Sequence, residues 1–202
     1  MSYTVREIFH SLQGEGVQTG RAAVFLRFAG CNLWSGREAD RANAACRFCD
    51  TDFVGGDKFA DAQSLAEAVR ATGGATRYVV VTGGEPGLQL DEALLHALHG
   101  LGFEVAIETN GTVEIPPGID WVCVSPKAGT DLKVTRGDEL KLVFPQEGAV
   151  PADFERLAFD HFLLQPMDGP ERAANTQAAI AHCLTHPRWR LSLQTHKIVG
   201  IP

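Results

Sequence analysis

The chain has 202 residues, 45% hydrophobic and 21% charged, which suits one soluble globular domain over 1–202 and is too short for two comfortable ones. A formal net charge of −7 argues against a nucleic-acid surface and against a polybasic membrane patch, both of which need an excess of Lys and Arg. No apolar run approaches the ~20 residues of a membrane helix, and the opening Met1-Ser2-Tyr3-Thr4-Val5-Arg6-Glu7 has no signal-peptide stretch, so no membrane is expected and the expected setting is cytoplasmic.

In chain order, Val5 to Gly16 begins as a short apolar segment and passes into the polar turn Gln13-Gly14-Glu15-Gly16, where two glycines let the backbone approach a ligand. Ala22–Phe28 is a predicted buried strand with Arg27 near its end. An Arg so placed can pair with a carboxylate for packing or serve a substrate. Residues 32–45 are polar and irregular, a loop or short helix. Residues 63–70 have helical spacing, with Gly73-Gly74 as a stop. Tyr78–Thr82 is a β-branched strand that runs into Gly83-Gly84-Glu85-Pro86. Residues 91–101 form an amphipathic helix ended by Gly102. Strands follow at 103–107, 121–124, 140–144 and 159–164, a helix at 175–184, and a tail from Leu191 to Pro202.

These strands are continuous apolar runs separated by helices or connections, as in parallel strands buried on both faces. Five of the six run into a polar or special cluster: Cys31, Thr82–Pro86, Glu108–Asn110, Ser125–Lys127 and Gln165–Asp168. In parallel barrels and open sheets the site lies at the carboxyl ends of the strands, so these clusters should converge on one mouth. Six strands are too few for a closed eight-stranded barrel. The expected fold is therefore α/β, a partial, open six-stranded parallel (β/α) barrel.

Three of the five cysteines, Cys31, Cys46 and Cys49, fall within nineteen residues as C-x14-C-x2-C. Bunching and an odd count point to cofactor chemistry in a reducing compartment, not to a disulfide framework. Three thiolates fit a [4Fe–4S] cluster with one open iron. Structural zinc, with a His as fourth ligand, stays open on the cysteines alone.

The cysteine triplet after one strand, followed by Thr82-Gly83-Gly84-Glu85-Pro86 after the next, resembles the radical SAM superfamily, whose barrel type fits the fold expected here. The usual spacing in that superfamily is C-x3-C-x2-C. The fourteen-residue interval is similar to one subgroup, the 7-carboxy-7-deazaguanine synthases of queuosine and deazapurine biosynthesis. Ser11–Gly16, Phe28–Trp34, Cys49–Asp52, Glu108–Gly111, Val124–Lys127, Leu164–Gly169 and Gln194–Lys197 agree with it, so the resemblance covers nearly the whole chain.

The resemblance implies a radical SAM lyase that converts 6-carboxy-5,6,7,8-tetrahydropterin to 7-carboxy-7-deazaguanine with loss of ammonia, starting from abstraction of the C6 hydrogen. It implies a [4Fe–4S] cluster on Cys31, Cys46 and Cys49, S-adenosylmethionine (SAM) as a regenerated cofactor, and Mg²⁺ on Thr51. No side chain acts as catalyst in its own right, the radical coming from SAM. By resemblance the SAM site takes Phe48, Cys49, Asp50, Gly84, Glu85, Ser125, Pro126, Lys127, Gln165, Pro166, Met167 and Asp168. The substrate site takes Leu12, Gln13, Gly14, Glu15, Arg27, Thr82, His196 and Pro202, the last through its carboxylate. A homodimer and an electron donor such as flavodoxin are implied partners. A glycyl-radical activase would favour the three-residue spacing absent here, and a zinc-stabilised binding module would leave the polar strand ends unexplained. His96, His99, Cys123 and Cys183 read as ordinary packed or solvated side chains, and the pair His182 and His186 as a weak metal candidate. The apolar tail residues Ile198, Val199 and Ile201 are expected to be buried as the tail docks over the mouth.

Overall fold

The computed structural model of the chain describes residues 2–202; Met1, where the expected 1–202 domain begins, lies outside the described residues. The elements in order are β1 (Tyr3–Leu12), β2 (Ala22–Phe28), β3 (Asp57–Phe59), α1 (Ala62–Gly73), β4 (Tyr78–Gly83), α2 (Glu92–Gly100), β5 (Glu104–Thr109), β6 (Trp121–Val124), β7 (Arg136–Phe144), α3 (Pro151–Phe154), β8 (Ala158–Pro166), α4 (Arg172–Thr185), β9 (Trp189–Leu191) and α5 (Thr195–Val199). The strands form one sheet in the order β3-β1-β2-β4-β5-β6-β7-β8-β9. From β2 to β9 every neighbouring pair is parallel, whereas β1 pairs antiparallel with both β2 and β3. The six expected strands are all present, in sequence order and parallel. Three more join them: β9 extends the parallel run, and β1 and β3 close the opposite edge. No helix among the described residues is long and apolar enough to cross a membrane.

Alternation along each strand builds two layers. Val24, Leu26, Val79, Val81, Val105 and Ile107 point outward and pack on α1 and α2 in one core. Leu140, Leu142, Phe162, Leu164 and Trp189 do the same in a second core under α4. The helices start where side chains cap them: Asp61 accepts from the Ser64 amide at 2.8 Å and Asp91 from the Leu94 amide at 2.9 Å. The intervening residues point inward. At the amino ends of the strands Ala23, Tyr78, Val80 and Ala106 fill the interior. One step nearer the carboxyl ends the inward positions turn polar: Arg27 beside Thr82 in register, then Glu108, Cys123, Glu139, Lys141 and Gln165.

Two expectations about the chain ends change. Residues 3–12 are a ten-residue strand, longer than the short apolar segment expected, because a register shift between Val5 and Glu7 breaks the alternation and Glu7, Phe9 and Leu12 face the mouth. The tail does dock, through Thr195 on the Gly14 carbonyl and the Ser11 hydroxyl on a Pro202 oxygen, 2.8 Å away. It does so without burying Ile198 and Val199, which are 66% and 65% exposed. Polar contacts hold it.

Candidate active site

Cys31 follows β2 by three residues. The Gly30 amide donates to Phe53 at 3.0 Å and the Gly30 carbonyl accepts from the Glu85 amide at 2.9 Å, so the first cysteine is sewn to the turn after β4. A Cβ at Gly84 would lie 2.2 Å from the Gly30 carbonyl and 2.7 Å from Cys31 Cβ; only glycine permits that approach. The irregular segment 32–45 delivers Arg41. Its guanidinium lies over the Trp34 ring and donates to the carbonyls of Arg47 and Cys49 at 2.9 and 3.0 Å, fixing the C-x2-C turn.

The three thiols stand on the wall of a cavity of about 330 Å³. Cys49 is held down to about 6, chiefly by the hydrogen bond from Cys46, with help from the Thr51 amide and the charge of Lys127; the same hydrogen bond and burial push Cys46 up. Burial raises Cys31, although the Leu33 amide reaches its sulfur at 3.4 Å. Lys127, folded onto the carbonyl and hydroxyl of Ser125, is the cation facing this group. Among the described residues no three His, Cys, Asp or Glu side chains are gathered to hold a single ion. Three thiols spread around a cavity with a nearby lysine suit a multi-iron cluster carrying negative charge better than a closed zinc site. The stacked pair His182 and His186 stands apart from any further ligand.

Phe48, Cys49, Asp50, Gly84, Ser125, Lys127, Gln165, Pro166, Met167 and Asp168 all border this cavity. Two expected residues do not. Glu85 is fully buried, and its oxygens accept from Thr109 Oγ1 at 2.6 Å, the Asn110 amide at 2.8 Å and the Gly87 amide at 2.8 Å. Its carboxylate, raised by burial despite these donors, braces the turn after β4 against the end of β5 and is not a wall. Pro126 is also buried, behind its neighbours, with its carbonyl turned to Gln146.

A second cavity, of about 360 Å³, opens beside the first. Its wall contains Leu12, Gln13, Gly14, Glu15, Arg27, Thr82, His196 and Pro202, the whole expected substrate set, together with Thr51. A stacked pair, Phe9 and Phe25 with centroids 5.0 Å apart, contributes to it. Arg27 Nε donates to Glu7 at 2.7 Å, and the side chain also borders the cavity.

Five residues belong to both walls: Glu15, Asp50, Thr51, Glu108 and Gln194. Glu108 and Gln194 lay within motifs recognised in the sequence without being assigned a place. Beneath them Lys141 Nζ lies 2.8 Å from both Glu15 Oε2 and Glu108 Oε2. Burial acts to raise Glu15, but Lys141, with Gln194 donating at 2.9 Å, outweighs it and holds the carboxyl at about 2. Burial wins at Glu108, whose pKa is raised. Lys141 lies inward on β7 by the same alternation that turns Leu140 and Leu142 outward. That position, a single Lys in an apolar strand, was the available signal.

A partial, open barrel of mostly parallel strands with three thiols and a glycine turn meeting at their carboxyl ends is the architecture of radical SAM proteins, and the chain matches the Radical SAM superfamily over residues 39–142. That match starts after Cys31, which the fourteen-residue interval sets apart. Over full length the chain is 67% identical to the 7-carboxy-7-deazaguanine synthase of Bordetella pertussis and 59% identical to that of Burkholderia multivorans, with 100% of both partners covered in each case. The crystal structure of QueE from Escherichia coli superposes with a TM-score of 0.74 at 30% identity, covering 97% of this chain and 95% of that one. The chain belongs to the 7-carboxy-7-deazaguanine synthase family of the radical SAM superfamily, which carries a [4Fe–4S] cluster and SAM.

Proposed function

We propose that this chain converts 6-carboxy-5,6,7,8-tetrahydropterin to 7-carboxy-7-deazaguanine and ammonia, as a single domain using a [4Fe–4S] cluster, SAM and Mg²⁺. The observation that carries the reading is the shared wall: a thiol-lined cavity and a second cavity of about 360 Å³ touch at Glu15, Asp50, Thr51, Glu108 and Gln194. A radical made in the first has only that wall to cross.

Cys31, Cys46 and Cys49 would hold the cluster. Cluster and SAM together supply a 5′-deoxyadenosyl radical, which is cofactor chemistry. The protein's own work is positioning. The backbone at Gly84, with Lys127 and the strand end Gln165–Asp168, would orient SAM, and Phe48 would cover it. Backbone groups at Leu12–Gly14 and the carboxylates of Glu15 and Pro202 would meet the donor and acceptor edge of the pterin. Arg27 would bind the substrate carboxylate with its planar fork, and Thr51 would give Mg²⁺ one oxygen beside it, the rest coming from substrate and water. Phe9 and Phe25 give the flat ring an apolar partner. All five cysteines are free thiols, in keeping with a cytoplasmic enzyme. A homodimer and a flavodoxin-like electron donor complete the reading by family resemblance.

The test is anaerobic reconstitution, iron and sulfide analysis, and an assay with SAM and the pterin. Four irons and four sulfides per chain and release of the deazapurine with ammonia are expected. Cys31→Ala, Cys46→Ala and Cys49→Ala should each lose the cluster. A colourless protein holding one tight zinc ion would sink the proposal.

A further inference from the structure

The docked tail has a charged side chain that none of the site assignments uses. Lys197 Nζ lies 2.5 Å from Asp50 Oδ2 and 2.8 Å from Asp168 Oδ2. The two carboxylates come from segments distant in sequence, Asp50 directly after Cys49 and Asp168 after β8. Both border the thiol-lined cavity, whereas Lys197 borders the other one. Apart from the Lys197 amide on the adjoining Gln194 carbonyl, every other hydrogen bond that ties residues 195–202 to the rest of the described chain goes to the substrate side, to Gly14 and Ser11. With Ile198 and Val199 in solvent, the tail has little apolar anchorage, and a short helix held by a few polar contacts opens readily.

We infer that Lys197 is a positioning residue that couples the two cavities, so that substrate held against the tail strengthens SAM binding and SAM strengthens substrate binding. The inference rests on the cavity assignments proposed above. Its physical basis is an element with two arrangements that both ligands bias. A ligand resting on His196 and Pro202 favours the docked tail. The docked tail brings one ammonium between Asp50 and Asp168 and draws together the two segments that flank the cofactor. A ligand that needs those segments in place favours the same docked tail. The coupling is reciprocal by thermodynamic necessity. Lys197 contributes no proton or electron to the reaction; it acts through the two aspartates.

The experiment is titration calorimetry on the cluster-loaded enzyme with the cluster oxidised, so that nothing turns over. SAM affinity is measured with and without saturating pterin, and pterin affinity with and without SAM. In the wild type each ligand should tighten the other about fivefold or more, at the low end of ordinary coupling. In Lys197→Met both ligands should still bind, with mutual tightening below about twofold. Lys197→Arg, which can still bridge the two carboxylates, should restore most of it. Hydrogen exchange in residues 195–201 should slow on adding SAM alone in the wild type and not in the methionine variant. Independent binding in the wild type, equal coupling in wild type and Lys197→Met, or loss of coupling in the arginine variant as well would each overturn the inference while leaving the cavity assignments standing. Failure of the wild type to bind SAM at all would overturn both.

Discussion

Replacing Lys141 by Met probes the charged interior beneath the two cavities. The ammonium is 4% exposed and touches Glu15 and Glu108, each at 2.8 Å. Methionine nearly matches the volume and leaves both carboxylates with no cation in contact. Breaking a buried pair by removing one partner costs about 3–5 kcal/mol. For a chain of this size the melting temperature moves by roughly 2–4 °C per kcal/mol, so the reconstituted variant should melt roughly 6–20 °C below the wild type near neutral pH. The pH dependence supplies an independent check. In the wild type Glu15 is depressed from 4.5 to about 2. It therefore contributes stability that is fully present above its unfolded value and lost progressively as pH falls from 4.5 through about 2. Without Lys141, burial dominates and the folded pKa of Glu15 rises above 4.5. Its ionised form then costs stability at neutral pH, and protonation on mild acidification relieves that cost. The gap between variant and wild type should narrow from about pH 7 to about pH 5, as followed by circular dichroism melts under anaerobic conditions. A loss under about 1 kcal/mol, the scale of an exposed pair, or a gap that does not change with pH, would refute the claim that Lys141 neutralises this interior.

Three further outcomes follow from the cavity walls. Thr51→Ala should lose most of the stimulation of activity by added Mg²⁺; an unchanged magnesium titration removes Thr51 from the metal site. Arg27→Met should raise the substrate KM strongly while SAM affinity holds, since a charge-assisted pair in a mostly desolvated site is worth on the order of 2–5 kcal/mol. Its other partner, Glu7, is 49% exposed and can be left to water, so a variant that fails to fold would assign Arg27 to packing alone. A short extension after Pro202 should weaken pterin binding far more than the same extension before Met1, and equal affinities would leave Pro202 with no part in recognition.

Much of the architecture was legible because it follows from short-range chemistry. Val79, Val80 and Val81 are satisfied in a buried strand, and the helical spacing over 63–70 and 91–101 with the glycine stops Gly73-Gly74 and Gly102 marks the two helices. Polar clusters directly after apolar strands mark one end of a parallel sheet. β1 is harder to recognise because the register shift between Val5 and Glu7 breaks its alternation and its mouth-facing side mixes Glu7 with Phe9 and Leu12. The three-residue strands β3 and β9 carry too few residues for a pattern and exist only because a neighbour offers its edge.

The sequence by itself determined the spacing of the three thiols and the glycine turn, and all but two of the residues assigned to the SAM and substrate sites border the two cavities. Those are properties of residue type and order. Only the tertiary structure decided which side chains face which space. Glu85, expected in contact with SAM, spends its carboxylate on Thr109, Asn110 and Gly87. Glu108 stands on the wall between the cavities, with Lys141 beneath it binding both Glu108 and Glu15, and Lys197 bridges Asp50 and Asp168 across more than a hundred residues of chain. A buried charge is stable only where its partners converge from distant strands, and that convergence is a property of the folded sheet that no local pattern contains.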